Sequence, residues 1–96
     1  MPHYIAIIED AGPDRPVGVW FPDLPGCFSA GDDMDEALHN APDAVALYAE
    51  SLAKERKTLP QPRTLSAIKA DPALVDDLRD HIVALVTLPA PADAAE

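Results

Sequence analysis

The sequence has few of the residues that small proteins use for covalent or metal-based stabilisation. Its 96 residues include one cysteine and three histidines. A lone cysteine cannot close an internal disulfide, and no two histidines have the spacing of helical metal ligands. We therefore expect no disulfide, no metal site and no other cofactor. Oligomerisation remains as the common way to stabilise a domain of this size.

Basic residues and long apolar runs are also scarce. Lys and Arg number 7 against 17 Asp and Glu, so the net charge is -10. Residues 1–50 hold ten acidic side chains and one basic one, Arg15, and thus carry -9 of that charge. Such a field repels phosphate backbones and attracts basic proteins, so direct nucleic-acid binding is not expected. With no apolar run near the length of a membrane span and no secretory signal, we expect a cytoplasmic protein without membrane contact.

Three short strands are predicted in the first third of the sequence. His3–Glu9 is rich in β-branched residues, and turn formers fill residues 10–16. Val17–Phe21 alternates apolar and other residues, and Pro22 ends it because proline cannot donate to a sheet ladder. Cys27–Ala30 can form a third strand. The three strands would form an antiparallel meander.

One long helix follows the meander. Asp33 stands at the expected N-cap, and Glu36 lies three residues later, as in a capping box. Apolar residues recur at helical spacing from Met34 to Leu52. Pro42 falls inside this helix, where it should remove one backbone hydrogen bond and bend the axis.

The last third predicts a short helix and a final strand. Asp71 and Pro72 suit the N-cap and first position of a helix that ends near Arg79, and residues 81–88 again resemble a strand. The order is βββα(α)β, an α+β fold. We expect a single domain over residues 1–89 and a flexible tail over residues 90–96, which contain no large apolar side chain.

Two motifs carry a resemblance to a known family. Phe21–Cys27 reads FPDLPGC and Gly31–Leu38 reads GDDMDEAL, and Leu59–Pro62 continues the pattern. Together these segments resemble the HicB-like antitoxin family. The resemblance is specific, because several motifs match the family pattern in the same order along the chain. Asp33 stands where the family usually has threonine, and Pro42 departs from the family pattern. Since residues 66–96 contain no basic recognition helix, the chain resembles the short, single-domain branch.

The resemblance implies a fold, a function and partners. The fold would be a partial ribonuclease-H-like fold without nuclease activity, so no catalytic residues are expected. The implied function is to bind HicA, a small basic toxin that cleaves messenger RNA, and to cover its active site. The family also forms dimers or tetramers, so a homodimer or homotetramer is expected.

Six residues are predicted to bind the partner. Acidic side chains would attract a basic protein, and exposed apolar ones would hold it. The candidates are Trp20, Asp23, Leu24, Asp32, Asp35 and Glu36. Structural roles compete with this interpretation, because Asp is a routine turn residue beside Pro and Gly and Trp20 also suits a half-buried strand position.

Two other functions compete with the antitoxin hypothesis. The chain could be an oligomeric scaffold of the same fold that has no toxin partner. It could also be a small metal-dependent nuclease, since ribonuclease-H enzymes use several carboxylates around two metal ions. The acidic residues here lie in turns and at the helix start, which favours a solvated face over a nuclease centre. The product of the neighbouring gene would separate the antitoxin from the scaffold.

Overall fold

The computed structural model describes residues 3–87 as four strands and three helices. The strands are β1 (His3–Asp10), β2 (Val17–Trp20), β3 (Phe28–Gly31) and β4 (Ile82–Thr87). The helices are α1 (Met34–Lys54), α2 (Leu65–Lys69) and α3 (Val75–Asp80), with a 3-10 turn at Pro72–Leu74. The predicted α+β fold is confirmed, while its ribonuclease-H-like character stays a prediction.

All strands join one antiparallel sheet in the order β3-β2-β1-β4. β1 lies inside the sheet, where Ile8 pairs with Val19 of β2 on one side and with Ile82 of β4 on the other. The first three strands form the predicted meander. The last strand returns to the open side of β1, so β3 and β4 are the two edges of the sheet.

One face of the sheet packs against α1. Because side chains alternate along a strand, Tyr4, Ala6 and Ile8 of β1 share this face. The helix contributes small residues at helical spacing, which lets its backbone approach the sheet closely. The core cluster contains Tyr4, Ala6, Ile8, Val17, Val19, Phe21, Leu24, Cys27, Ala37, Ala41, Val45 and Val86.

The start of α1 is capped as the sequence predicts. The Asp33 side chain accepts a hydrogen bond from the Glu36 N–H at 2.8 Å. The Glu36 carboxylate in turn accepts from the Asp32 N–H at 3.0 Å, one residue earlier than in a standard capping box. Pro42 lies inside α1, yet the helix continues to Lys54. Packing of its apolar side on the sheet outweighs the lost backbone bond.

The connection between α1 and β4 differs from its prediction. A single short helix was expected from Asp71 to Arg79, but the chain forms α2, the 3-10 turn and α3. α2 was not predicted, because its five residues are too few for an apolar repeat. Asp71 does act as a cap, but for the 3-10 turn, where it accepts from the Ala73 N–H at 2.9 Å. The predicted strand end at Leu88 and the tail lie outside the described residues.

The second face of the sheet is partly covered by this connection. Ile5 and Ile7 point away from α1, yet they are only 3% and 0% exposed. Residues 62–65 share a cleft with His3, Ile5 and Leu85, which places the start of α2 beside this face. Ile68 of α2 is fully buried and lies outside the α1 core cluster. The chain therefore buries apolar side chains on both faces of β1.

Arg63 holds the connection to the turn between β2 and β3. Its N–H and Nε donate to the two carboxylate oxygens of Asp23 at 2.8 and 2.6 Å, and its Nη1 donates to Asp71 at 3.0 Å. Nearby, the Tyr4 hydroxyl donates to the Pro60 carbonyl at 2.6 Å. The Asp23 side chain is 9% exposed, so it has little surface left for a partner. We call Asp23, Arg63 and Asp71 the Arg63 clamp.

The contact between Arg63 and Asp71 changes the proton affinity of both groups. Hydrogen bonds from Arg63, and then from the Ala73 N–H, hold the pKa of Asp71 below its usual range. The bonds with Asp71 and then Asp23 raise the pKa of Arg63. Both shifts favour the charged forms. The contact between Arg63 and Asp71 therefore favours the ion pair over its neutral form.

Gly31 should be required for the contact between β3 and α1. A Cβ on Gly31 would lie 2.8 Å from the backbone carbon of Glu36 and closer still to the Ala37 nitrogen. A Cβ on Gly18 would have nothing within 4 Å. We expect Gly31→Ala to lower the free energy of unfolding in urea by about 1–3 kcal/mol, because overpacking forces the backbone to shift. Gly18→Ala is the control, and an equal effect of the two changes would contradict this prediction.

Loss of the Arg63 clamp should destabilise the protein in a pH-dependent way. Arg63→Met should lower the free energy of unfolding by about 1–2 kcal/mol, less than for a buried pair because the Arg63 side chain is 38% exposed. Folding lowers the pKa of Asp71. The contribution of its pairing with Arg63 to the free energy of unfolding is therefore complete above about pH 4, and it is lost as the pH falls through the pKa of Asp71 in the folded state. Urea unfolding at pH 7 and pH 3 should therefore show a smaller difference in acid.

The control for the clamp is Arg79→Met on α3. Arg79 also pairs with two carboxylates, Asp76 and Asp80, but its side chain is 65% exposed. Exposed pairs contribute little to stability, so the unfolding midpoint should stay unchanged. If Arg79→Met lowered the free energy of unfolding as much as Arg63→Met, the prediction of a special contribution from the Arg63 clamp would be contradicted.

Candidate partner-binding surface

Leu24 does not reach the surface. Its side chain is 0% exposed and belongs to the core cluster beneath α1. The turn directs it inward, because the Leu24 N–H donates to the Phe21 carbonyl and the Cys27 N–H donates to the Leu24 carbonyl, both at 3.0 Å. A fully buried Leu24 leaves no free surface for the predicted contact with a partner. Leu24 instead anchors the turn between β2 and β3.

Trp20 is half-buried on the face of the sheet that points away from α1. Its ring meets that of His81 edge to face, with 5.3 Å between centroids and 80° between planes. Across the strand pair it lies opposite Phe28, whose side chain is 69% exposed. Trp20 therefore has a structural contact on one side and an exposed aromatic neighbour on the other.

Asp32, Asp35 and Glu36 are exposed at the start of α1, as expected. The fold adds acids from the end of β1 and from the turn after it, because Asp10 lines an open cleft of about 450 Å³ together with Asp32. Asp14 lines a neighbouring cleft with Asp32 and Arg15. We call this region the acidic end, formed by Asp10, Asp14, Asp32, Asp33, Asp35 and Glu36.

The acidic end is suited to electrostatic attraction. Asp33 is committed to the helix cap, and the Asp10 side chain accepts from the Gly12 N–H at 3.2 Å. Within residues 3–87, no three His, Cys, Asp or Glu side chains lie together as metal ligands would. α1 spans about 30 Å at 1.5 Å per residue, which separates the acidic end from the basic residues after it. One end of the molecule is thus strongly negative.

Cys27 has the environment of a packing residue. It is buried, and its thiol donates to the Ala44 carbonyl at 3.7 Å. Burial raises the pKa of the Cys27 thiol, which keeps the side chain protonated. Cys27 therefore acts as a small buried residue directly before β3.

A second exposed surface was not predicted from the sequence. Leu47 is 66% exposed and lines an open groove between β3 and α1. Phe28 also borders the groove and is 69% exposed, but its pairing with Trp20 directs its side chain to the other face of the sheet. We call this the β3–α1 groove, lined by Gly26, Cys27, Phe28, Ala44, Leu47, Tyr48 and Ser51. A signal was present in the sequence, because the helical phase places Leu47 outside the apolar stripe, between Asp43 and Glu50.

None of the helices in the described part of the chain is both long and apolar enough to span a membrane.

The sequence is similar to several proteins of known sequence. Residues 4–93 match the family model of the HicB-like antitoxin of bacterial toxin–antitoxin systems. An uncharacterized 14.9 kDa protein of Haemophilus phage HP1 is 35% identical over 65 residues, which are 68% of this chain and 46% of that protein. A UPF0150 protein of Synechocystis is 45% identical over 40 residues, 42% of this chain and 51% of that protein. The chain thus spans about half the length of the curated relatives it matches.

Solved structures share the fold. The N-terminal domain of the Burkholderia pseudomallei antitoxin HicB superposes with a TM-score of 0.68 at 22% identity, covering 92% of this chain and 99% of that domain. A chain in a HicA3 and HicB3 toxin–antitoxin complex superposes with a TM-score of 0.71 at 28% identity, again over 92% and 99%. At 22% identity the first likeness shows the fold alone. From the family match over nearly its whole length, the chain belongs to the HicB-like antitoxin family of bacterial toxin–antitoxin systems.

Proposed function

We propose that this chain is the antitoxin of a HicAB-type system and neutralises an mRNA-cleaving HicA toxin by covering its active surface. The observation that carries the proposal is the likeness, at 28% identity over 92% of the chain, to a chain of a toxin–antitoxin complex. The complex would form in the cytoplasm, where messenger RNA is cleaved. No catalytic step is assigned to this chain.

The charge of the chain fits this role. An enzyme that cleaves RNA needs a cationic surface to bind phosphates, and a protein that covers this surface competes best when it is acidic. Residues 1–50 carry a net charge of -9, and the exposed acidic end concentrates part of it. Such a field speeds the encounter with a basic partner. The same field disfavours direct contact with nucleic acid.

We also propose that two copies associate through β4. Ile82, Val83 and Leu85 are 47%, 36% and 64% exposed on this edge strand, and Ile82–Thr87 contains neither a charge nor a proline. Edge strands without such protection pair readily with another strand. Two copies with a net charge of -10 each repel elsewhere, so an uncharged edge is the favourable meeting place. An antiparallel β4–β4 pair would join two sheets into one.

The same edge supports a second candidate function, an oligomeric scaffold that has no toxin. Self-association through β4 needs no toxin, so it is expected under both hypotheses. Only inhibition of a toxin by the chain separates the antitoxin hypothesis from the scaffold hypothesis. The product of the adjacent gene is the natural test protein.

The antitoxin hypothesis predicts that the chain stops RNA cleavage by that product. Cleavage of a labelled messenger RNA is followed as the chain is titrated against the enzyme. We expect complete inhibition near equimolar amounts, because steric cover requires one antitoxin surface for each toxin. Undiminished cleavage at saturating antitoxin, with no complex in size-exclusion chromatography, would favour the scaffold.

The oligomer hypothesis predicts a mass of at least twice 10.2 kDa by light scattering at micromolar concentration. Val83→Lys with Leu85→Lys should return the monomer, because charges on an edge strand block pairing with a second strand. Val75→Lys is the control, since Val75 is 49% exposed on α3, away from the edge. A monomeric wild-type chain would contradict the proposed association.

A further inference from the structure

We propose that the basic toxin docks on an aromatic shelf, which β2 and β3 form on the sheet face that points away from α1. The shelf consists of Glu9, Gly18, Trp20, Phe28 and Ala30. This inference rests on the proposed function and names the surface that performs it. Trp20 and Phe28 are the apolar anchors, and the acidic end steers the toxin toward them.

The two aromatic side chains of the shelf lie side by side. Trp20 and Phe28 are directly paired between β2 and β3. Val19 belongs to the core cluster beneath α1, so the alternation along β2 turns Trp20 to the other face. Directly opposite side chains share a face, so Phe28 stands beside Trp20. Phe28 is 69% exposed, the largest fraction among the large apolar side chains in residues 3–87, and exposed aromatic side chains are typical of protein interfaces.

A shallow cleft continues the surface along the strands. Gly18 pairs with Ala30 on one side and with Glu9 on the other, which sets two small residues beside the aromatic pair. A Cβ on Gly18 would have nothing within 4 Å, so the space above it is open. These three residues line an open cleft of about 320 Å³. A protruding side chain of a partner can enter this space while the sheet stays as it is.

The shelf is fixed before any partner arrives. Ile7 pairs with Trp20 on the side away from Phe28 and is 0% exposed, because the connection between α1 and β4 covers that part of the face. The His81 ring lies edge to face against Trp20 at 5.3 Å and marks the boundary. The Asn40 side chain donates to a β3 carbonyl at 3.0 Å and ties the strand to α1. A preorganised surface loses little conformational entropy on binding.

The charge beside the shelf favours a basic partner. Glu9 is exposed, and the cleft shares Arg15 with a neighbouring cleft that Asp14 and Asp32 line. Arg15 is the single basic residue of residues 1–50, so acids outnumber it here. The shelf therefore adjoins the acidic end. Aromatic rings also attract cations over their faces, which suits a partner rich in Lys and Arg.

A second copy of the chain fits the shelf less well than a basic protein does. Two copies that met there would bring their acidic ends together, which opposes association. The uncharged β4 edge lies at the opposite side of the sheet from β3. Self-association through β4 therefore leaves the shelf free, and both contacts can occur in the same assembly.

The first test measures how tightly the full chain binds the adjacent gene product. Phe28→Ser removes the exposed ring, and we expect it to weaken the complex about tenfold or more, chiefly through faster dissociation. Gly18→Gln adds a side chain where the fold has room, so it should weaken the complex by occupying the shelf. Circular dichroism and thermal melting establish that each variant keeps the fold.

Matched controls separate the shelf from general surface effects. Leu47→Ser removes a side chain that is 66% exposed but lies on α1, on the other side of the sheet. Ala46→Gln adds the same side chain as Gly18→Gln at an exposed position of α1. We expect both to leave the dissociation constant unchanged. Glu9→Gln should slow association more than Glu50→Gln, which removes the same charge from α1.

Trp20 provides a second and independent readout. It is the only tryptophan in the chain, so fluorotryptophan incorporated at this position gives one fluorine NMR signal from the shelf. The unlabelled gene product contributes no fluorine signal. We expect the Trp20 signal to shift or broaden when that product is added, because the docked toxin changes the surroundings of the ring.

Each outcome bears on the proposal. If wild-type chain binds and Phe28→Ser and Gly18→Gln bind equally well, the shelf is not the docking surface, while the proposed function stands. An unchanged Trp20 signal in a complex that has formed has the same meaning. If the two variants change the mass of the free chain instead of its affinity for the toxin, the shelf holds a second copy and the inference is overturned. If wild-type chain forms no complex, both the proposed function and this inference fail.

Discussion

The close contact between β3 and α1 is the constraint on which most of the structure depends. Gly31 gives the chain room to turn from strand into helix, because a side chain there would collide with the first turn of α1. The turn fixes the position of α1 over the sheet, and Asp33 then caps the helix. Both the acidic end and the β3–α1 groove lie along this contact. The geometry of this contact therefore sets the distance between the acidic end and the β3–α1 groove.

Local signals in the sequence predicted the elements that depend on local physics. The β-branched run of β1, the proline after β2 and the Asp33 cap each act over a few residues, and each was confirmed. α2 was missed because a five-residue helix has no repeat to detect, and it is held by tertiary packing of Ile68. The pairing of β4 with β1 was equally invisible, since sequence periodicity does not specify a neighbour.

The candidate site was less predictable than the fold. The acids at the start of α1 were expected on the surface, because capping positions are exposed by their geometry. The burial of Leu24 was not predicted, because the sequence of a turn does not show which side chain points inward. Leu47 lies beside Gly26 and Cys27 only through the packing of α1 on the sheet. Surfaces made by such long-range contacts require a structure.

The Arg63 clamp gives this cysteine-poor chain a non-covalent form of loop closure. Asp23 and Arg63 are 40 residues apart, and the segment between them contains β3 and α1. Joining these ends brings the two boundaries of the segment together in the folded state only, because the contact is lost on unfolding and, unlike a disulfide, does not restrict the unfolded chain. Unlike a disulfide, this closure opens and re-forms without redox chemistry. The segment that carries α2 and the 3-10 turn is thus held to the β2–β3 turn by a contact that can break and re-form.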